Sequence, residues 1–201
     1  MSQQTVILLH GFASSSNSTK AQYLRGRFTT VPGVQFHAID FNPTPRDFEY
    51  TTITGMINRL RQYLLDRDLR RVFIVGSSMG ALVGLNYAHR FGGVSRMLLL
   101  APALSYLGFE PVDRVFHYAF NRELPLRDDF YVDGALYAEP VPPPVPVTII
   151  HGRNDDVIPI AHSRHYAALY PEKVELIEVD SDHQVNDQLD FIWERLTAAL
   201  S

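Results

Sequence analysis

Apolar residues gather in six short runs, at 6–9, 34–39, 72–75, 97–100, 145–150 and 174–179. Most are apolar throughout rather than alternating, the pattern of strands covered by helices on both faces. Between them the apolar positions switch to helical spacing. Ile53, Met56, Ile57, Leu60 and Leu64 form one stripe, and Leu189, Ile192, Trp193, Leu196 and Leu200 repeat it near the C-terminus. Alternating strands and helices predict an α/β protein with an open, mostly parallel sheet. Ligands of such sheets bind beyond the carboxyl ends of the strands, so the loops there are the places to look for chemistry.

One interval breaks the rhythm. Residues 102–144 contain no clear strand and are rich in aromatics: Tyr106, Phe109, Phe116, Tyr118, Phe120, Phe130, Tyr131 and Tyr137. Pro111 is placed to open a helix with Val112, Val115, Phe116, Ala119 and Phe120 on one face. The interval closes on Pro140-Val141-Pro142-Pro143-Pro144, a stiff entry into the next strand. It reads as a small lid or an enlarged crossover within one domain spanning 1–201. Phe116 and Phe120 would either line an acyl pocket or simply pack the lid helix onto the sheet.

Composition narrows the class without changing this picture. Apolar residues make up 46% of the chain and charged residues 20%, ordinary globular values. With no cysteine, thiol catalysis, disulfides and Cys-based zinc sites are excluded. The net charge is −4 and no stretch concentrates Lys or Arg, which argues against a nucleic-acid partner. The apolar run at 6–9 is too short for a signal peptide, and nothing approaches the roughly 20 apolar residues of a membrane span. A cytoplasmic location is expected.

The loops carry the chemistry. Gly76-Ser77-Ser78-Met79-Gly80 is G-x-S-x-G, placed after a predicted strand and before a predicted helix. A serine on so sharp a turn projects its hydroxyl away from the sheet, and glycines two places to either side relieve crowding. Ser78 is the candidate nucleophile; Ser77 sits one place off the centre. After the first strand comes His10-Gly11-Phe12. An oxyanion needs two preorganised N–H donors, and the backbone of Met79 and of Phe12 would supply them. The following Ser14-Ser15-Ser16-Asn17 is expected to cap the next helix.

A carboxylate and a histidine complete the set. His151-Gly152-Arg153-Asn154-Asp155-Asp156 follows the fifth run, and Asp180-Ser181-Asp182-His183 follows the sixth. A carboxylate accepting the Nδ1–H of His183 would fix its tautomer and stabilise its imidazolium. Spacing does not separate Asp155 from Asp156, and Asp182 is a local competitor. His162 and His165 stand at i, i+3 on a predicted helix without a third ligand in view, so no metal or cofactor is implied. His10 and His151 are read as shaping their loops.

With these motifs placed, the chain resembles the α/β-hydrolase superfamily over essentially its whole length, and the compact YqiA/YcfP-like bacterial esterases in its His-Gly-Phe-x-Ser-Ser start. The resemblance puts the G-x-x-D-x-x-x-P acid of that superfamily on Asp155, giving a triad of Ser78, Asp155 and His183. Many members have two strands ahead of the His-Gly strand; this sequence begins on it, so about six parallel strands are expected. The activity implied is hydrolysis of a carboxylic ester or thioester of a small molecule through an acyl-enzyme. A serine peptidase or other acyl-transfer enzyme, or a non-catalytic binding protein on the same fold, are the rival readings.

Overall fold

All six apolar runs form strands, and they lie side by side. The computed structural model describes residues 3–108 and 110–200, so Phe109 lies outside the described residues. The strands are β1 (Gln4–Leu9), β2 (Val34–Ile39), β3 (Val72–Ser77), β4 (Val94–Leu100), β7 (Val147–Gly152) and β8 (Val174–Val179), hydrogen-bonded in the order β2-β1-β3-β4-β7-β8, all parallel. The near-continuous apolar runs are explained by the two cores they serve. Ile7, Leu9, Ile74, Met97, Leu99 and Ile149 face one way, against α3 (Ile53–Asp66) and α4 (Met79–Phe91). Val6, Leu8, Phe73, Val75, Leu98 and Leu100 face the other way, against α1 (Thr19–Phe28) and α7 (Leu189–Leu200). Each fully buried branched side chain contributes about 1.5–3 kcal/mol.

Helix α3 buries the whole predicted stripe, Ile53, Met56, Ile57, Leu60 and Leu64. Its start is fixed by Thr52, whose hydroxyl accepts from Gly55 N. In α4, a Cβ at Gly84 would stand 3.0–3.2 Å from Met97, Ile74 and Leu9 side chains, so glycine lets this helix lie close on the sheet. The cap of α1 is not the run Ser14–Asn17 but Ser18, whose side chain accepts from Ala21 N. Ser15 Oγ accepts from Asn17 N inside the loop, and Ser16 reaches Asp40.

The interval 102–144 departs from expectation. The helix predicted from Pro111 does not form; a hairpin of β5 (Arg114–His117) and β6 (Arg122–Pro125) stands in its place, Val115 opposite Leu124. The spacing of Val112, Val115, Phe116, Ala119 and Phe120 fits a helix only by coincidence. The stronger signal is a period of two: Arg114 and Phe116 are exposed, whereas Val115 and His117 turn inward. Asn121, at φ 50, completes the turn. Two short helices adjoin it, α2 (Pro45–Glu49) from far earlier in the chain, packed against β6, and α5 (Asp129–Gly134) directly after it. On α6 (Ala161–Leu169), His162 and His165 are exposed.

Chain direction reverses across the sheet at β1, which has β2 on one side and β3 on the other. The loops after β1 and β3 therefore diverge there and open a crevice, the place where open α/β sheets hold ligands. The first strand and the last helix meet where Gln4 Nε2 donates to Leu200 O at 2.9 Å. Among the described residues no helix is long and apolar enough to cross a membrane.

Candidate active site

Strand β3 ends at Ser77 and α4 begins at Met79, which leaves Ser78 alone on the turn, with φ 51 and ψ −119. An L-residue with positive φ is strained, at a cost of about 1–3 kcal/mol, and persists only when its surroundings enforce it. Here Ser78 N–H donates to Leu100 O at 3.0 Å, and its carbonyl accepts from Ala81 N at 2.9 Å and Ala103 N at 3.1 Å. The flanking glycines have separate causes. A Cβ on Gly76 would meet Ala81 Cα at 2.8 Å, in the first turn of the helix; one on Gly80 would meet Leu9 O at 2.2 Å, at the end of β1. Ala13 (φ 53), Ala101 (φ 42) and Val185 (φ 44) are also in positive φ, and all three follow strand ends on this side of the sheet.

The acid loop leaves β7 at Gly152, where any Cβ would lie 2.3 Å from Ser181 O of the loop after β8. Asp155 is saturated with donors. Its Oδ1 accepts from Val157 N at 2.9 Å and Ile158 N at 2.8 Å, and its Oδ2 faces His183 Nδ1 at 2.8 Å. Burial alone would raise its pKa; the Ile158 N–H, His183 and the Val157 N–H outweigh burial and hold the carboxyl below the usual carboxylate range. On its other side, His183 Nε2 stands 3.1 Å from Ser78 Oγ. Asp156 is exposed. Asp182 Oδ1 accepts from Gln184 N and Val185 N, shaping the loop behind His183. Of the three candidate carboxylates, only Asp155 meets the histidine.

Gly11 brings the loop after β1 against Ser78, its would-be Cβ 3.3 Å from Ser78 Cβ. His10 shapes that loop: Nδ1–H donates to Gly11 O at 2.7 Å, and Nε2 accepts from Phe41 N at 3.1 Å. The Phe12 ring is held between Phe48 and Phe130, at 5.4 and 4.9 Å. The hairpin is tied to the same loop by Tyr118 N donating to Ala13 O.

A cavity of about 810 Å³ opens above Ser78 and His183. Much of its apolar lining comes from the chain between β4 and the end of α5, with Tyr106, Leu107, Val115, Leu126, Phe130 and Tyr131, joined by Phe12, Met79, Val157 and Ile158 from the loops at the strand ends. Its polar lining comes from the loop after β1, the start of α1 and the loop after β8: Ser14, Ser15, Asn17, Lys20, Gln184 and Asn186. Phe116 and Phe120 are not among the lining residues. Phe116 stacks edge-on against Tyr118 because it lies on the outer face of β5, and Phe120, in the turn between β5 and β6, packs on His117. Val115, Tyr118 and Ala119 take their place. Lys20 gave no signal in the sequence. Its Nζ donates to Gln184 O at 2.5 Å and Asn186 Oδ1 at 3.2 Å, and burial lowers its pKa to about 8 against the opposing pull of Asp182.

A six-stranded parallel sheet with helices on both faces, a serine on a strained strand-to-helix turn and a histidine-carrying loop at the same sheet end define the α/β-hydrolase fold. Solved structures share it at low identity. A provisionally assigned hydrolase from Agrobacterium vitis S4 matches with a TM-score of 0.83 at 21% identity, over 99% of this chain and 88% of the other. Est1E from Butyrivibrio proteoclasticus gives 0.77 at 16%, over 99% and 87%. Mouse alpha/beta hydrolase domain-containing protein 10 gives 0.76 at 18%, over 98% and 90%. No curated protein matches the sequence. The chain belongs to the uncharacterised protein family UPF0227, whose model matches residues 5–198.

Proposed function

We propose that the protein is a serine hydrolase that cleaves a carboxylic ester or thioester through an acyl-enzyme. The observation that carries this reading is the line of contacts from Ser78 Oγ to His183 Nε2 at 3.1 Å and from His183 Nδ1 to Asp155 Oδ2 at 2.8 Å. In this reading His183 takes the hydroxyl proton as Ser78 attacks the carbonyl, and Asp155 stabilises the imidazolium and fixes its tautomer. The backbone N–H groups of Phe12 and Met79 receive the oxyanion. His183 then protonates the leaving oxygen or sulfur, and afterwards activates the water that releases the acid and regenerates Ser78. The loop carrying His183 also supplies polar lining, so the leaving alcohol or thiol lies along Gln184 and Asn186 while the acyl group takes the apolar side.

A binding protein on the same fold would have no use for a strained serine, since the backbone cost yields nothing without a nucleophile. A fluorophosphonate probe separates the two readings. The expected result is covalent labelling of Ser78, lost in Ser78→Ala, together with turnover of some member of a panel of p-nitrophenyl esters and thioesters. Ser78→Ala and Asp155→Asn should lower kcat by on the order of 10⁴, with Asp156→Asn near wild type. A folded wild-type protein that resists the probe and turns over no ester would defeat the proposal.

A further inference from the structure

A second histidine contacts the same carboxylate oxygen as His183. His151 is the penultimate residue of β7 and is fully buried. Its Nε2 lies 3.0 Å from Asp155 Oδ2 and 3.0 Å from Ile158 O, two acceptors, so that nitrogen carries the proton. Its Nδ1 lies 2.7 Å from the hydroxyl of Ser163, a buried residue of α6, which donates to it. Both ring nitrogens are thus assigned by their partners. The carboxylate in turn receives two N–H groups on Oδ1 and two imidazoles on Oδ2, His183 at 2.8 Å and His151 at 3.0 Å.

From this geometry we infer that His151 is a positioning residue for the hydrolytic reaction, aiming Oδ2 of Asp155 at His183 and drawing off part of its charge. The inference rests on the proposed serine-hydrolase reading. A carboxylate bound only through Oδ1 and His183 could rock about its Cβ–Cγ bond; the His151 N–H, anchored from behind by Ser163, removes that freedom. It has an electrostatic effect as well. A donor on Oδ2 lessens the negative charge that the carboxylate presents to the His183 ring. His151 supplies this without a positive charge of its own, because burial lowers its pKa. The charged or titratable groups around it are Asp155, His183 beyond it, and Glu178, its neighbour across β7–β8, which Arg164 holds at 2.7 Å.

Two amides divide the imidazole's roles. Glutamine places an N–H where Nε2 stands and can reach Asp155; asparagine places one where Nδ1 stands, toward Ser163. The rate of Ser78 phosphonylation by a fluorophosphonate, followed from pH 5 to 9 in wild type, His151→Gln, His151→Asn and His151→Leu, reads both effects, with thermal unfolding as the check on folding. We expect His151→Leu and His151→Asn to label about tenfold more slowly and their acid limb to move up by about half a pH unit or more. His151→Gln should recover most of the rate and the wild-type limb. If the leucine variant does not fold, the Gln–Asn pair decides alone. Folded variants whose acid limb stays at the wild-type pH, or a glutamine variant no better than asparagine, would overturn the inference and leave His151 holding the Ile158 carbonyl. A wild-type protein that is never labelled would instead overturn the hydrolase reading beneath it.

Discussion

Lys20 is one of only two lysines in the chain, and it is buried at the edge of the cavity between α1 and the loop that carries His183. Its ammonium is kept by two acceptors, yet burial brings its pKa from 10.5 down to about 8. The folded state therefore releases this proton more readily than the unfolded chain, which binds it up to pH 10.5. Stability relative to a chain without the group rises as pH climbs from 8 to 10.5, and is lost again as pH falls through 8. Compared with Lys20→Met, wild type should gain about 3 kcal/mol over that window in denaturant titrations. A difference that stays flat with pH would mean that the ammonium is solvated. No pattern in the sequence marks Lys20, because its role depends on a loop 164 residues away. Ser78 and His183 were legible because a short motif and a strand end place them. Asp155 needed the family's motif to be told from Asp156, and in the structure the distinction is which of two adjacent side chains turns inward.

At the scale of elements, the sheet strands were easier to read than the interval 102–144. A strand buried on both faces announces itself by an unbroken apolar run, and a helix such as α3 by a stripe at one spacing. The hairpin of β5 and β6 does neither, since only one of its faces touches the molecule and its strands are four residues each. Four residues hold just two inward positions, too few to set a period against the accidental helical match. The consequence concerns selectivity. Val115 faces the cavity, whereas Phe116 is 41% exposed on the outer face. A buried methylene is worth about 0.8 kcal/mol, or roughly fourfold in kcat/KM. Val115→Ala should shift the ratio of kcat/KM between butyryl and octanoyl p-nitrophenyl esters by about that factor or more, and Phe116→Ala should leave it within twofold. The same shift from Phe116→Ala would show that the outer ring, not the inner valine, meets the acyl chain.

For the whole molecule, parallel order places the ends of β1, β3, β7 and β8 on one side, so residues distant in sequence converge without a dedicated domain. That convergence was legible as a class of fold, while the cavity's depth and its division into apolar and polar linings were not. The contact between Gln4 and Leu200 has a further consequence for connectivity. A short Gly-Ser linker could join these segments, and the chain could be opened between Gly92 and Gly93, which are both exposed and lie between α4 and β4, away from the site. Such a circular permutant would carry the three aligned side chains in the order Asp155, His183, Ser78. It should fold and label at Ser78 within about an order of magnitude of wild type, since proximity in space sets the chemistry. A folded permutant with no labelling would mean that the α4–β4 connection itself holds the Ser78 turn in tension. Otherwise the serine-first order of the chain is a matter of descent, and the sheet would accept the same three side chains threaded from a different starting point.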